Sequence, residues 1–352
     1  MEKLRVGVVG VGSISNEHIQ AYQKNPNVEL VAFCDINEKQ LKMMGEKYGV
    51  TKLYGDCHEM FKSEKLDAIS VCVWNSQHAP VTIAALEAGL NVICEKPMAT
   101  AVEDAIKMKE AAEKAGKLLM IGFVRRYGND CSLLCDFRDG GFFGDIYYAK
   151  ATYLRRNGNP GGWFGDKSRS GGGPLIDLGV HVIDLTRYIM GNPKPVSVFG
   201  ATFRKLYNRP NIKSGKGYTS VSAGKDDICD VEDLASAMVR YDNGAVLSIE
   251  AAFSLNIKHD EGKIQLFGSK GGAKIEPEVE LYTEMNDYLA DVNFAHPTAL
   301  DFNGLFANEI NHFVDCVQNG TVCRSPASDG VDIMRILCAI YKSAETGHEV
   351  IL

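Results

Sequence analysis

Short apolar runs alternate with segments of helical spacing over the first 120 residues, and this alternation limits the folds open to the chain. Strands that are apolar on both faces and separated by helices are typical of a parallel sheet that is covered on both sides. The fold class predicted for this part is therefore α/β, with a doubly wound parallel sheet. We place its strands at 4–10, 28–35, 68–74, 91–95 and 118–123, and its helices at 15–25, 37–49, 78–89 and 101–116.

The pattern of the chain changes after about residue 124. Strand-like runs joined by hairpin turns follow from 195 to 283, and the clearest hairpin, 236–253, has Asp-Asn-Gly at its turn. This half is predicted to be an α+β domain with a large open, mainly antiparallel sheet. Because 352 residues are about right for two domains, we predict one domain at 1–124 and a second at 125–352. Helices of the second half are expected at 128–138, 308–320 and 329–347, with a strand at 145–156 and a glycine-rich loop at 157–173.

Charge and composition exclude several classes of function. The net charge of −7 argues against a dedicated nucleic-acid binder, whose surface is usually basic. No apolar run approaches the roughly 18 residues needed to span a bilayer, and the first residues lack the apolar core of a signal peptide. The ten cysteines include no CxxC pair, so we expect reduced thiols of a cytoplasmic protein and no metal site.

A glycine-rich turn, GVVGVGSIS, lies between the first strand and the first helix. Gly10 and Gly12 take the first two glycine positions of G-x-G-x-x-G, and the small residue Ser15 takes the third. The first glycine allows a tight turn, the second lets the backbone approach a pyrophosphate, and the N–H groups at the start of the helix face the anion. In this strand-turn-helix context the motif predicts a dinucleotide site of the Rossmann type, to which we also assign Ser13 and Ile14.

Asp35 ends the second strand, where an acid of such folds accepts hydrogen bonds from the adenosine ribose. A carboxylate there repels a 2′-phosphate, and no basic residue follows until Lys39, so the sequence predicts NAD rather than NADP. The alternative for Asp35 is a turn residue at the end of the strand. Asn75, after the third strand, is a further candidate for the cofactor site, with a helix cap as the alternative. His78 is expected to pack at the start of its helix.

The fourth strand ends in the residues CEKP, at the sheet edge where ligands bind in such folds. Pro97 restricts the backbone of Lys96 to extended conformations and so helps to fix where the amine projects. A lysine there can lower the pKa of a substrate hydroxyl or relay a proton. We assign Glu95 and Lys96 to the cofactor site and Lys96 also to catalysis. The alternative is a surface lysine paired with Glu95.

Two carboxylates and an imidazole interrupt the apolar stretch IDLGVHVID, which follows three glycines and Pro174. Asp177, His181 and Asp184 are spaced by four and three residues, which places them on one face of a helix. His181 is suited to accept a hydroxyl proton near neutral pH, and Asp177 to fix its tautomer and stabilise the imidazolium. The alternatives are a structural histidine and a metal-binding Asp–His pair, the latter without further ligands nearby. Asp184 is expected to support the scaffold.

These motifs in this order, GVVGVGSIS, CD, WNSQH, EKPMA, RRY and GGGPLIDLGVHVIDLTRY, resemble the glucose-fructose oxidoreductase and inositol dehydrogenase family, often written Gfo/Idh/MocA. The resemblance covers essentially the whole chain. It implies a Rossmann domain followed by an α/β domain with a large open sheet, and oxidation or reduction of a sugar or polyol carbon by tightly bound NAD(P). It also implies catalytic roles for Lys96, Asp177 and His181, with His181 as the general base.

The resemblance also implies a substrate pocket to which Arg125, after the fifth strand, contributes. Tyr153, Arg155, Arg156 and Trp163, around the glycine-rich loop, are further candidates for its wall. An aromatic ring and arginines suit a sugar face and its hydroxyls, or an anionic aglycone. Packing and solvated charge are the alternatives for these side chains.

The expected activity is hydride transfer between a secondary alcohol carbon and nicotinamide, with Lys96, Asp177 and His181 also contacting the substrate. His181 takes the hydroxyl proton, and Lys96 stabilises the charge that develops on the same oxygen. Two other outcomes stay open: an enzyme that uses NAD in a closed redox cycle through a 3-keto sugar, and a non-catalytic NAD(H)-binding regulator. An open sheet with a face to cover also favours a homodimer or homotetramer formed through that sheet.

Overall fold

The computed structural model describes residues 2–207, 209, 211–213, 217–275 and 277–352. The chain forms two compact units. The first consists of Met1–Val124 with Asn303–Met334, and the second of Arg125–Phe302 with Arg335–Leu352. We predicted a single boundary after residue 124, whereas the structure also places a later segment of the chain in the first unit.

Among the described residues of the first unit, six parallel strands form the central sheet. They are β1 Leu4–Val9, β2 Val28–Cys34, β3 Lys52–Tyr54, β4 Ala68–Val71, β5 Asn91–Glu95 and β6 Leu119–Gly122. Their order, β3-β2-β1-β4-β5-β6, is that of the Rossmann fold and confirms the predicted fold class. The winding reverses between β1 and β4, and such sheets bind ligands at the carboxyl ends of the strands beside this point.

Helices connect these strands: α1 Ser15–Lys24, α2 Glu38–Tyr48, α3 Cys57–Ser63, α4 His78–Glu87 and α5 Val102–Ala115. Both faces of the sheet are covered, because Val6, Val8, Ile69 and Ile93 expose none of their surface. We did not predict β3 and α3 from the sequence. The strand has three residues and the helix seven, and segments this short show no clear apolar period.

Within the residues that the structure describes, nine strands form the sheet of the second unit. They are β7 Ile146–Leu154, β8 Pro195–Phe203, β9 Leu234–Tyr241, β10 Val246–Ala252, β11 Glu261–Gly268, β12 Gly271–Ile275, β13 Val279–Met285, β14 Tyr288–Val292 and β15 Val350–Ile351. Their order is β14-β13-β12-β11-β7-β10-β9-β8-β15. Strands β7 and β10 pair in parallel, and the other pairs are antiparallel. This confirms the predicted open, mainly antiparallel sheet, including the hairpin of β9 and β10.

The remaining helices are α6 Asn129–Asp139, α7 Lys167–Ser170, α8 Val180–Ile189, α9 Phe302–Asn319 and α10 Ala327–Thr346. One face of the second sheet is buried, as Ala151, Leu247 and Ile249 show. The other face exposes Phe199 and Met238, which are 53% and 51% accessible and lie opposite each other on β8 and β9. Within the described ranges, no helix is both long and apolar enough to span a membrane.

Hydrogen bonds explain why residues 303–334 belong to the first unit. In α9, Asn311 accepts a side-chain hydrogen bond from Asn25 at 2.9 Å. After α9, the N–H of Ile121 donates to the carbonyl of Ser325 at 2.9 Å. The returning segment therefore pairs beside β6 at the edge of the first sheet, a long-range contact that local sequence patterns do not reveal.

A buried ion pair fixes α8 within the second unit. The Arg126 guanidinium donates to both carboxylate oxygens of Asp184, with Nη2–Oδ1 at 2.6 Å and Nε–Oδ2 at 3.0 Å. It also lies over the ring of Tyr188, 4.5 Å from the centroid. Both charged side chains are almost fully buried. Asp184 is thus a structural residue, as predicted.

Removing one charge of this pair should be costly. Asp184→Asn leaves the Arg126 guanidinium buried opposite a neutral amide, and losing one partner of a buried pair costs about 3–5 kcal/mol of stability. We expect urea unfolding to show this loss. Asp139→Asn is the control, because Asp139 pairs with Arg138 at the surface, where such pairs contribute about 0–1 kcal/mol. Equal losses in the two variants would contradict the structural assignment of Asp184.

Candidate active site

The glycine-rich turn leads from β1 into α1. Gly10 has a φ of +85°, and a Cβ there would lie 2.5 Å from the carbonyl oxygen of Cys72, so only glycine fits. A Cβ at Gly12 would meet nothing within 4 Å, which leaves this backbone open to a ligand. Ser15 is fully buried and donates its hydroxyl to the Gly12 carbonyl at 2.7 Å. The turn, with the N-terminus of α1, therefore fits a dinucleotide pyrophosphate.

Asp35 follows β2 and contacts the same turn. One carboxylate oxygen accepts a hydrogen bond from the N–H of Val11 and the other from the N–H of Asn37, each at 2.8 Å. Asp35 thus has the turn role that we considered as the alternative. The same bonds bring its carboxylate to the glycine turn, where contact with a ribose stays a prediction. Ser13 and Ile14 complete the turn before α1.

Asn75 and His78, for which the sequence predicts a cofactor contact and a packing role, follow β4. Asn75 is buried in a short 3₁₀ turn, and His78 begins α4. The ring nitrogens of His78 lie 2.6 Å from the carbonyl oxygen of Pro97 and 3.0 Å from that of Val73. His78 therefore packs at the start of its helix, as predicted, and joins the segments that follow β4 and β5.

The Glu95 side chain, at the end of β5, is buried and contacts α1. Its Oε1 lies 2.8 Å from Nε2 of His18, and its Oε2 accepts a hydrogen bond from the N–H of Lys96 at 3.2 Å. Burial alone raises the pKa of the Glu95 carboxyl, but the hydrogen bond and charge of His18, with the charge of Lys96, lower it below its ordinary value. The carboxylate thus holds the backbone of Lys96, the residue to which the sequence assigns catalysis.

Further buried polar groups support His18. Its Nδ1 lies 3.0 Å from the hydroxyl of Ser70, which in turn lies 2.8 Å from the hydroxyl of Tyr22. Glu309 of α9 brings a second carboxylate within 4.8 Å of His18 and Glu95. These supporting residues could not be predicted from local motifs, because they come from segments far apart along the chain.

The segment predicted as one helix before residue 191 has two parts. Leu175–Gly179 forms a π-helical turn, and α8 continues from it. Such turns are wider than α-helical ones and are frequent at functional sites, so the spacing of Asp177 and His181 is not that of a regular helix. Both residues are half-buried, whereas Asp184 is fully buried against Arg126. The predicted polar stripe is therefore divided.

The buried carboxylate of Glu232, two residues before β9, holds the π-helical turn. Glu232 accepts hydrogen bonds from the N–H groups of Gly173 at 2.9 Å and Leu175 at 3.2 Å, and from the hydroxyl of Tyr341 at 2.9 Å. A Cβ at Gly173 would lie 2.4 Å from the carbonyl oxygen of Glu232. Gly173 therefore lets this segment approach the protein's own backbone closely.

Three of the predicted pocket residues lie at the end of β7. The Arg155 guanidinium is 5.4 Å from the ring centroid of Tyr153, and its Nη2 is 3.4 Å from the tyrosine hydroxyl. The structure therefore brings these two half-buried side chains together. Arg156 is exposed, and its N–H donates to Asp260 at 2.7 Å. Arg156 is therefore a solvated charge, which was the alternative interpretation for these arginines.

The other two predicted pocket residues have partners of their own. Arg125 forms an ion pair with the buried Asp130, with Nη2–Oδ2 at 2.5 Å. Trp163 stacks on Phe164, with ring centroids 4.0 Å apart. Both side chains are partly exposed, so the guanidinium and the indole keep surface for a ligand, and their assignment to the pocket stays a prediction.

Residues 4–123 match the oxidoreductase family with the NAD-binding Rossmann fold, and residues 139–352 match the C-terminal α/β domain of that family. These matches and the glycine turn define the class of protein: an oxidoreductase with an NAD-binding domain, as predicted. The chain belongs to the Gfo/Idh/MocA family.

Known proteins align with almost the whole chain. D-glucoside 3-dehydrogenase of Escherichia coli (strain K12) is 35% identical over 350 residues, which cover 99% of this chain and 97% of that protein. Myo-inositol 2-dehydrogenase of Thermotoga maritima is 28% identical over 349 residues, which cover 99% and 98%. The crystal structure of an oxidoreductase domain protein from Kribbella flavida is 24% identical and shares the fold, with a TM-score of 0.86 over 100% of this chain and 99% of that one.

The pKa of Glu232 gives this residue a pH-dependent effect on stability. Burial raises the pKa of its carboxyl above the ordinary value of 4.5, although the N–H of Gly173 and the hydroxyl of Tyr341 act in the opposite direction. The folded protein therefore holds this proton more tightly than the unfolded chain does. The contribution of Glu232 to stability is complete below about pH 4.5 and declines as the pH rises through the folded-state pKa.

Glu232→Gln removes this titration. We expect the difference in the free energy of unfolding, wild type minus variant, to decrease as the pH rises from 4.5 toward neutrality. Urea unfolding at a series of pH values measures it. Glu46→Gln, at an exposed position on α2 of the first unit, should track the wild type across the series. A difference for Glu232→Gln that is constant with pH would contradict the assignment.

Proposed function

We propose that the enzyme transfers a hydride between a secondary alcohol carbon of a sugar, glycoside or polyol and the nicotinamide of NAD, and that its substrate is a glucoside oxidised at carbon 3. The observation that carries this proposal is the similarity to D-glucoside 3-dehydrogenase, at 35% identity over 99% of this chain. The similarity to a myo-inositol 2-dehydrogenase supports the wider class of sugars and cyclic polyols.

His181, in the first turn of α8, is the proposed general base that accepts the substrate's hydroxyl proton. Asp177 fixes the tautomer of the imidazole and stabilises the imidazolium that forms. Lys96 donates a hydrogen bond to the same substrate oxygen and stabilises the negative charge developing there. NAD, when bound, supplies the hydride acceptor. The bonds of Glu95 and Glu232 to the backbone support these roles, because they fix the segments that carry Lys96 and Asp177.

The residues proposed to hold NAD are Gly10, Gly12, Ser13, Ile14, Asp35, Asn75, Glu95 and Lys96. Asp35 favours NAD over NADP because a fixed carboxylate repels a 2′-phosphate. Two backbone N–H groups hold its side chain in place, which supports this role. The Glu95 side chain is bonded to His18 and to the N–H of Lys96, so we propose that Glu95 supports the cofactor site by fixing the backbone of Lys96.

The proposed substrate pocket is formed by Lys96, Arg125, Tyr153, Arg155, Trp163, Asp177 and His181. The ring of Tyr153 offers an apolar face for a sugar, and the nearby guanidinium of Arg155 offers donors for its hydroxyls. The same donors suit an anionic aglycone, so glycosides with and without a negative charge belong in the first substrate panel.

Removal of His181 should abolish turnover without abolishing cofactor binding. A missing general base costs about 10²- to 10⁴-fold in rate, so we expect His181→Ala to lose at least about 100-fold in kcat. NADH absorbance is recorded with glucosides, free aldoses and polyols, using NAD and NADP in parallel. NAD affinity is measured separately by tryptophan fluorescence. His259→Ala, an exposed histidine of the second unit, is the control and should match the wild type.

The panel separates the proposed function from its alternatives. A wild-type signal with one glucoside, lost in His181→Ala, supports the proposal, and retention of full turnover by that variant contradicts the role of His181. Bound NAD with no net NADH, but with a cleaved glycoside detected by mass spectrometry, would show the closed redox cycle, because the NADH formed with the 3-keto intermediate is used up again when the ketone is reduced. Bound NAD with neither NADH nor cleavage of any substrate would favour the non-catalytic regulator.

We also propose that the chain forms a homodimer or homotetramer through the second sheet, and that it acts in the cytoplasm. Phe199 and Met238 support the first proposal, because two large apolar side chains lie next to each other on an exposed sheet face. The second rests on the ten cysteines, which are free thiols, as expected in a reducing compartment.

Light scattering tests the association. The wild type should show the mass of a dimer or tetramer, and Met238→Asp should lower it by placing a charge at the proposed interface. Met43→Asp is a matched control, because Met43 is also 51% accessible but lies on α2 of the first unit. A wild-type mass equal to that of a single chain would overturn the proposal, as would an unchanged mass in Met238→Asp.

A further inference from the structure

Two thiols and an imidazole meet in the part of the first unit formed by residues 303–334. His312 and Cys316 lie four residues apart on α9, and Cys323 comes from the segment that follows this helix. The ligand atoms of the three residues all lie within 4.8 Å of one another. Nε2 of His312 is 3.3 Å from Sγ of Cys316. None of these residues takes part in the proposed hydride transfer.

The hydrogen bonds of His312 show which of its nitrogens is unprotonated and faces the Cys316 sulfur. The N–H of Arg324 donates to Nε2 at 3.1 Å. A backbone N–H only donates, so Nε2 is the unprotonated nitrogen, and the proton of the neutral ring is on Nδ1. Nε2 is also the nitrogen that lies 3.3 Å from the Cys316 sulfur, so a metal ion bound there would replace the Arg324 N–H at the Nε2 lone pair.

The segment that carries Cys323 is held on both sides. Before it, Asp315 accepts hydrogen bonds from the side chain of Asn319 at 2.6 Å and from the hydroxyl of Thr321. After it, Ser325 is bonded to the N–H of Ile121 in β6. Because both flanks are fixed, little conformational entropy would be lost when Cys323 binds a ligand together with α9.

We propose that His312, Cys316 and Cys323 bind a zinc ion. Thiolate and imidazole ligands suit Zn²⁺, which takes four ligands in a tetrahedron. Zinc bonds of about 2.3 Å to sulfur and 2.1 Å to nitrogen place these two atoms about 3.6 Å apart at a tetrahedral angle, close to the 3.3 Å between His312 and Cys316. Water completes the fourth position, because the sites of His312 and Cys323 are only half-buried.

Binding is an exchange of protons for the metal. Cys316 and Cys323 each lose a thiol proton, Zn²⁺ forms two bonds to sulfur and one to nitrogen, and two protons enter solution. The bound ion would join α9 to the segment that follows it. This proposal differs from our expectation, based on the sequence, that the chain has no metal site. The spacing His-x₃-Cys-x₆-Cys lacks the paired cysteines from which zinc sites are commonly identified.

The test uses the full-length protein, reduced and treated with a chelator, then incubated with zinc chloride and desalted. We expect elemental analysis to find one zinc per chain in the wild type and in Cys338→Ser, whose half-buried thiol lies in the second unit. We expect His312→Gln, Cys316→Ser and Cys323→Ser to lose the retained zinc. Circular dichroism confirms that each variant is folded.

A measurement on the wild type alone keeps the proposal testable if a variant does not fold. Zinc should protect Cys316 and Cys323 from alkylation, read by peptide mass spectrometry, and leave the alkylation of Cys338 unchanged. Three results would overturn the proposal: no zinc retained by the reduced wild type, retained zinc that is unaffected in folded variants, or alkylation of Cys316 and Cys323 at the same rate with and without zinc. If Cys316 and Cys323 form a disulfide and its reduction does not restore zinc uptake, the outcome counts as no zinc retained by the reduced wild type and overturns the proposal.

Discussion

The hydrogen bonds that the buried Glu232 carboxylate accepts from the backbone hold the segment on which the proposed chemistry of the second unit depends. Without this acceptor, the N–H groups of Gly173 and Leu175 would be buried and unpaired at a cost of about 1–3 kcal/mol each. In the first unit, the buried Glu95 carboxylate acts in the same way, because it bonds to His18 and accepts a hydrogen bond from the N–H of Lys96. In each unit, a buried acid fixes the backbone and leaves the residue proposed for catalysis partly exposed.

The order of most elements could be predicted because the apolar runs of the first 120 residues, apart from β3 and α3, are long enough to show their period. The boundary of the first unit could not be read in the same way. Its last part, 303–334, returns after an entire second sheet, and its pairing with β6 joins Ile121 to Ser325. Such a pairing depends on the tertiary fold, and no local pattern of polarity or turn residues records it.

The candidate residues could be named from the sequence because each motif is contained in a few neighbouring positions. Their supports could not, because the partners lie far apart: 77 residues separate His18 from Glu95, and 58 separate Arg126 from Asp184. The division of the polar stripe has the same origin. A spacing of four and three marks one face only in a regular α-helix, and the π-helical turn, with the ion pair of Asp184, removes that regularity.

The two glycines of the nucleotide turn show how structural and functional requirements can be separated. Gly10 is required by the fold itself, because its φ is +85° and a Cβ would collide with the Cys72 carbonyl. Gly12 has neither constraint, since its φ is not left-handed and a Cβ would meet no protein atom within 4 Å. Glycine costs conformational entropy at any position where the fold does not need it. The structure therefore leaves the backbone of Gly12 open to the close approach of a ligand, which is the role that we propose for it toward a pyrophosphate.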